Sequence, residues 1–328
     1  MAHQTNRNLK SRTFSLNQTC AEQKGAALIL MAFILALAFT AYMVKLTTGV
    51  EYKAQRDLKT AKALDEAKQA ILGWSATQSK PGQLPCPEDT SLIGFATEGQ
   101  AKSSCTLPAI GRLPWRTLGL GDIGDGNNDK LWYVISNGYR TSPININTAA
   151  QLTVNSIPNS AVAIIFSSGV PLSSQTRPIP TSSTPPDITQ YLDLLNSSGS
   201  ASFTTSGAAN NFNDRLMLIT KVELFSLVTK RILREVRGDS SQGLAKFYAD
   251  NVTYPYADIN NDGDADTLQY IGTPSYQGGM NSLYFSTTKK TLLLNNGWLS
   301  LIGYNFITLS GIPTVTLSLN GQTLVVAP

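Results

Sequence analysis

The chain has 328 residues, a formal charge of +4, one histidine and three cysteines. The histidine is His3, so beyond residue 25 a Ser-His-Asp triad, a Cys-His pair and a histidine-bearing zinc site are all excluded. Lysine and arginine form no runs interleaved with aromatics, so the usual footprint of nucleic-acid binding is missing and no nucleic-acid partner is expected.

The first element in chain order is a polar leader, residues 1–25, ending Gln23-Lys24-Gly25. It holds Arg7, Lys10, Arg12 and Lys24 against a single acid, Glu22, so its removal would take the formal charge from +4 to +1. An uncharged run of nineteen residues follows, Ala26 to Val44. At about 1.5 Å per residue it reaches roughly 28 Å, enough to cross a bilayer core as a helix. Lys45, Lys53 and Arg56 come after it, so charge bias orients it only weakly. Three readings compete. A secretory signal would be cut after the apolar run, where Thr47-Thr48-Gly49 is a loose match. A plain anchor would stay uncut, and a prepilin-type signal would be cut before the run, after Gly25.

From Val50 to Trp74 the pattern predicts an amphipathic helix. Ala54, Leu58, Ala61, Leu64, Ala67, Ile71 and Trp74 form its apolar stripe, with charged residues between them. No proline intervenes before Pro81. One helix from about Ala26 to Ser75, roughly 75 Å long, accounts for this; an anchor followed by a separate surface helix is the alternative. The junction Lys24-Gly25-Ala26-Ala27-Leu28-Ile29-Leu30, with so long a helix after it, resembles type IV pilins and type II secretion pseudopilins. The resemblance implies a cut after Gly25 by a prepilin peptidase, a mature N-terminus at Ala26 with or without methylation, and a bacterial inner-membrane location. It also implies assembly with other pilin or pseudopilin subunits through the helix. Most members of that family carry a glutamate at mature position five. Here that position is Leu30, which points to a minor or tip-like subunit.

Cys20 has no apolar region before it and does not fit a lipoprotein cysteine. The remaining pair, Cys86 and Cys105, would lie in an oxidising compartment and is expected to form a disulfide. Bonding would close a loop of about twenty residues and stabilise by roughly 3 kcal/mol in the loop-entropy model.

After residue 78 the composition turns to proline, glycine, serine and threonine with short apolar runs, giving an exported head over residues 79–328. Strand-like segments are Leu131 to Ser136, Ala161 to Phe166, Leu216 to Ile219 and a series from Thr291 to Val326 that suggests a closing antiparallel sheet. The expected class is therefore α+β, with the long helix (residues 26–78, of which 26–44 span the membrane) packed on a β-rich antiparallel head. Four motifs are similar to a group of bacterial prepilin-like proteins: Leu84-Pro85-Cys86-Pro87, the stretch Gly111 to Leu120, Leu131 to Ser136, and Phe212-Asn213-Asp214-Arg215. Within the head, Thr220 and Glu223 have capping-box spacing, and Leu224, Phe225, Val228, Ile232 and Val236 form a helical stripe that Gly238 ends. Lys230, Arg231, Arg234 and Arg237 crowd its last turns, suiting either the helix dipole or an acidic partner. Residues 167–213 are poor in large apolar side chains, and read as a divider between two lobes or as an exposed insertion.

One constellation has metal-ligand spacing. Asp258, Asn260, Asp262, Asp264 and Asp266 offer oxygens at alternate positions around Gly263, which is the loop logic of calcium sites. Position twelve is Gln269 instead of a glutamate, and Asx-Gly runs also make ordinary turns. Calcium is the expected cofactor. A second acidic run, Asp122 to Asp129, has looser spacing and reads as a turn. Ser286-Thr287-Thr288-Lys289 matches a serine-lysine hydrolase spacing but lacks the companion motifs. The reading is a structural, non-enzymatic subunit with no small-molecule substrate; the alternative is a tethered periplasmic binding or hydrolytic protein.

Overall fold

The computed structural model describes residues 23–141, 143–278 and 281–328. His3, Cys20 and most of the leader therefore lie outside the described residues. The chain forms two units that divide between Gln55 and Arg56, and the fold is α+β.

Helix α1 runs Gln23–Thr77. Its stretch Gly25–Lys45 is 21 residues long, apolar enough to cross a membrane, and wholly exposed. At 1.5 Å per residue it covers about 32 Å, close to the thickness of a bilayer core.

In the second unit, α1 buries Thr60, Ala63, Leu64, Ala67, Ile71, Leu72 and Ser75. The stripe expected from the sequence is therefore only half right. Leu64, Ala67 and Ile71 face the core, while Ala54 and Ala61 are exposed and Leu58 is 72% exposed. Helical phase explains the difference. At about 100° per residue, Leu58 and Ala61 sit a quarter turn or more away from the line through Thr60, Leu64, Ala67 and Ile71.

The core sheet has the order β1-β2-β5-β7, formed by Ala109–Arg112, Trp132–Ile135, Ala163–Ser167 and Arg215–Ile219. All its pairings are antiparallel. β2 and β5 are buried along their whole length, and their alternate side chains serve two cores. Tyr133, Ile135, Ala163 and Ile165 point into the main core with α1, whereas Trp132, Val134, Ile164 and Phe166 belong to a second cluster. A small sheet covers that second cluster: β3 (Leu152–Val154) lies between β4 (Ile157–Ala161), antiparallel to it, and β6 (Ser202–Phe203), parallel to it.

The segment 167–213 folds back onto this second cluster, where it supplies Tyr191, Leu192 and Phe203. Its anchor is Arg177, whose side chain is almost fully buried. The guanidinium pairs with Asp129, donates to Ser168 O at 3.0 Å and Gly169 O at 2.9 Å, and stacks 5.1 Å from the Tyr191 ring. One arginine thus does much of the ordering that large apolar residues would otherwise supply.

Helix α2, Lys221–Arg237, has the expected capping box. Thr220 accepts from the Glu223 N–H, Glu223 accepts from the Thr220 N–H, and Gly238 ends the helix at φ 71°. Its stripe Leu224, Phe225, Val228, Ile232 and Val236 is buried in the main core. Helix α3 (Gly243–Asn251) packs beside it. The C-terminal part differs from the expected run of strands, because Thr287–Asn295 is helix α4. Ser286 caps it by accepting from the Lys289 N–H, and Leu292 and Leu293 are buried one-sidedly, as a helix requires. The closing antiparallel sheet is present as β11-β10-β9-β8: Gln322–Val326, Ile312–Leu319, Gly303–Leu309 and Ile271–Gly272. Trp298, fully buried, meets Phe225 edge-on at 6.0 Å and ties this half to α2.

Candidate functional site

Gly25 and Ala26 lie near the start of α1, both exposed, and a side chain at Gly25 would meet nothing within 4 Å.

The second acidic run proves to be more than a turn, since it is the dock for the second unit's part of α1. Asp125 is fully buried and organises the loop. Its Oδ1 accepts from the Asn127 and Asp129 N–H groups at 2.7 and 3.1 Å, and its Oδ2 accepts from the Ser167 hydroxyl at 2.6 Å. So ordered, the loop presents Gly126 to the helix backbone. The Gly126 N–H donates to Thr60 Oγ1 at 2.9 Å, and a Cβ on Gly126 would come 2.3 Å from the Arg56 carbonyl oxygen. Only glycine allows that approach. Arg56 donates to Asn127 Oδ1 at 3.0 Å, and the Lys59 ammonium donates to Asn128 Oδ1.

Two further fastenings hold α1 from its other end. Arg231 donates to the carbonyls of Ala76 at 2.7 Å and Gln78 at 2.6 Å, so a side chain of α2 satisfies acceptors that α1 leaves open at its C-terminus. Lys68 pairs with Glu223 at 2.6 Å. Partial burial pushes the Glu223 carboxyl up, but the Lys68 ammonium and the Thr220 donors outweigh it and hold the group below its ordinary range. Of the basic cluster on α2, Arg231 thus has a specific task, while Lys230, Arg234 and Arg237 stay exposed near the negative end of the helix dipole.

Three of the four head motifs are neighbours, since Gly111 lies against Pro87 and β1 pairs with β2. Cys86 and Cys105 are bonded, with Cα atoms 5.9 Å apart. Next to the bridge, buried Glu88 pairs with buried Arg112 at 3.1 Å and accepts from the Gly99 N–H at 2.9 Å. Burial pushes the Glu88 carboxyl above its usual range against the pull of Arg112. Gly99 lies under the Trp115 ring, where a Cβ would sit 2.2 Å from the indole. In the Phe212 to Arg215 motif only Asp214 is buried, while Arg215 is exposed and pairs with Asp57 at 2.6 Å. Asp214 is buried and accepts from the Asp193 N–H at 2.9 Å and from the Asn196 amide at 2.8 Å. Burial raises its pKa to about 7, although both donors oppose the shift.

In the 258–266 loop the oxygen side chains are turned onto backbone donors. Asp258, 1% exposed, accepts from Asn261 N–H and Gly263 N–H at 2.7 Å each. Asn260 accepts from Asp262 N–H, Asp262 from Asp264 N–H, and Asp266 from Ile259 N–H. Gly263 takes φ 93°, as the sharp turn demands. Among the described residues no three acidic, histidine or cysteine side chains converge to hold a metal. Nor does any lysine or arginine among them pair with Asp258, Asp262, Asp264 or Asp266. The serine-lysine match is also accounted for. Ser286 caps α4 and Lys289 pairs with Glu235 at 3.0 Å.

Sequence reasoning missed Arg177 and the specific roles of Gly126 and Arg231. The run Asp122 to Asp129 was visible, but nothing in it announces which element it receives. Comparison with protein-family models, with characterised proteins and with solved structures returned no match.

Proposed function

We propose that this chain is a structural minor pilin-like or pseudopilin-like subunit. It enters the bacterial inner membrane through the apolar start of α1, is trimmed by a prepilin peptidase after Gly25, and assembles with similar subunits through that helix into a type IV pilus or a type II secretion pseudopilus. The head is exported, and the Cys86–Cys105 bond supports an oxidising compartment for it. Leu30, five residues into the mature chain, supports a minor or tip position, because an unpaired charge there would be costly in lipid and this subunit carries none.

The observation that carries the reading is the make-up of one helix. Helix α1 bears a wholly exposed apolar span at Gly25–Lys45 and core residues at Ala63, Leu64, Ala67 and Ile71. A tether needs the first feature and has no use for the second. In a filament subunit the helix is at once the assembly element and a structural part of the head.

Calcium belongs to the proposal as a structural ion of the 258–266 loop. Its support is the four carboxylates within nine residues with which no lysine or arginine among the described residues pairs, in a loop whose glycine already makes the required turn. Binding would require the Asn260, Asp262 and Asp266 side chains to leave their backbone partners.

The test of the main reading is the mature N-terminus. The chain is expressed in bacterial membranes with a prepilin peptidase, and its intact mass and first residues are determined. A start at Ala26 that disappears when the peptidase is omitted supports the subunit. An intact Met1, or a cut near Gly49, would replace it with a tethered or secreted protein.

A further inference from the structure

We infer that the C-terminal sheet is a pairing surface, and that β11 joins the β11 strand of a second copy of this chain to make one continuous eight-stranded sheet. This goes beyond the helix-mediated assembly proposed above and rests on different residues.

Strand β11 is an edge. Its hairpin with β10 turns through Asn320 and Gly321, both at positive φ, and sets Gln322 opposite Leu319, Leu324 opposite Leu317 and Val326 opposite Val315. In a two-residue hairpin the first of these is a hydrogen-bonded pair, so Leu324 and Val326 also bond inward. The N–H and C=O groups of Thr323 and Val325 therefore point outward, and among the described residues no backbone bond outside the sheet receives them. The opposite edge is different. There Asp258 and Thr273 bond to each other just beyond β8 and close it off.

Sheet edges in monomeric proteins are blunted by charge, proline or bulges. None of these protects β11. Between Lys290 and Pro328 the chain has no charged residue at all. The outer face of the sheet continues the theme, with Ile271, Ile307, Leu309, Ile312 and Val325 exposed. An edge of this kind recruits an extended, uncharged strand.

A second copy meets that description best, because an uncharged edge is its own complement. Antiparallel pairing about a two-fold axis through Leu324 places Thr323 opposite Val325 of the partner and Val325 opposite its Thr323. All four outward groups on each strand then find partners. Thr323 and Val325 share the outer face, so a hydroxyl-bearing β-branched residue meets an aliphatic one, a favourable cross-strand pair. The two Leu324 side chains meet on the inner face, where each is already half-buried against its own core. No like charges are brought together between the paired strands.

The register makes a specific prediction. In a Cys20→Ser background, full-length Thr323→Cys and Val325→Cys chains are purified in mild detergent, separately and as a mixture, and treated with diamide. Residues directly opposite lie about 5 Å apart at Cβ, against roughly 7 to 8 Å for the diagonal Thr323–Thr323 and Val325–Val325 pairs. The mixture is expected to yield a disulfide-linked dimer at least several-fold more than either variant alone. Val325→Lys, at a position 62% exposed, is expected to sediment as a monomer where the unmodified chain sediments as a dimer, with unchanged near-UV circular dichroism. Equal cross-linking in single and mixed samples, or none in any, overturns the inference. So does a Val325→Lys chain that remains dimeric, since contact through α1 alone would give that result.

Discussion

Gly126→Ala probes the docking loop most directly. The added methyl would lie 2.3 Å from the Arg56 carbonyl oxygen and 2.8 Å from its carbon, and both belong to helix backbone that cannot rotate away. Either the loop or α1 must retreat by an ångström or so. Retreat forfeits the Gly126–Thr60 hydrogen bond, a net loss of about 1 kcal/mol. It also strains the packing beneath Ala63 and Leu64, for which overpacking costs of about 1–3 kcal/mol are typical. A destabilisation of about 3 kcal/mol follows. With an unfolding entropy of about 2.1 cal/mol/K per residue, residues 56–328 would melt roughly 5 °C lower. Near-UV circular dichroism of the detergent-solubilised chain, with the disulfide intact, measures this. Gly121→Ala is the control, because a methyl there meets nothing within 4 Å and the glycine is not in the left-handed region. If both variants melt within 1 °C of the parent, the close approach of loop and helix is refuted.

The pH dependence of stability should carry a contribution from Asp214. Its pKa is raised from 3.8 to about 7 by burial, so the folded state binds a proton that the unfolded state gives up. The stabilising contribution is full below about pH 4 and is lost as pH rises through 7, to the extent of about 4 kcal/mol at most. Urea titrations between pH 5 and 8 should show this fall, and Asp214→Asn should flatten it; an unchanged slope would refute the assignment. Cys86→Ser with Cys105→Ser should cost about 3 kcal/mol by loop entropy, read as a lower urea midpoint with an m-value no smaller than the parent's, since the unlinked denatured chain is less compact. Millimolar calcium should raise the melting temperature of the parent and leave Asp262→Ala unmoved, and silent calorimetric titrations of both chains would end the calcium proposal.

Local rules made much of the fold legible. The capping box at Thr220, the stop at Gly238 and the stripe of α2 depend on contacts within one helix, so sequence spacing suffices to place them. Strands β2, β5 and β7 were visible as short apolar runs. Thr291 to Asn295 misled because Thr-Leu-Leu-Leu fits strand and helix equally, and the deciding residue is the cap, Ser286, which lies outside that run. The docking loop was illegible for a different reason. Asp125 reads as a turn residue in any context, and its role depends on Ser167, 42 positions away, and on the bond from its neighbour Gly126 to Thr60, 66 positions from that glycine. The same holds for Arg177, which orders a segment that composition alone presents as a linker.

The misplaced stripe on α1 bears on the proposed assembly. Leu58 was expected in the core because steps of three link it through Ala61 to Leu64, a series that drifts around the helix, and its side chain is among the more exposed large apolar groups of residues 56–328. Folding of the head gives no reason for a leucine there, since a polar residue would serve an exposed helix face equally well. A neighbouring subunit's helix would supply the reason, and Ala61, one turn on and also exposed, leaves room for close approach. Leu58→Asp separates the two demands. The new carboxylate faces solvent and has Lys62 four residues on, a favourable helical spacing, so stability should change by no more than about 0.5 kcal/mol. Assembly should suffer far more, because burying an unpaired carboxylate between helices costs several kcal/mol. The expected result is a chain that is cut after Gly25 and melts normally, but is lost from the sedimentable filament fraction. A Leu58→Asp chain that still sediments with the parent would show that this face of α1 meets no neighbour, and would leave its leucine without a structural reason.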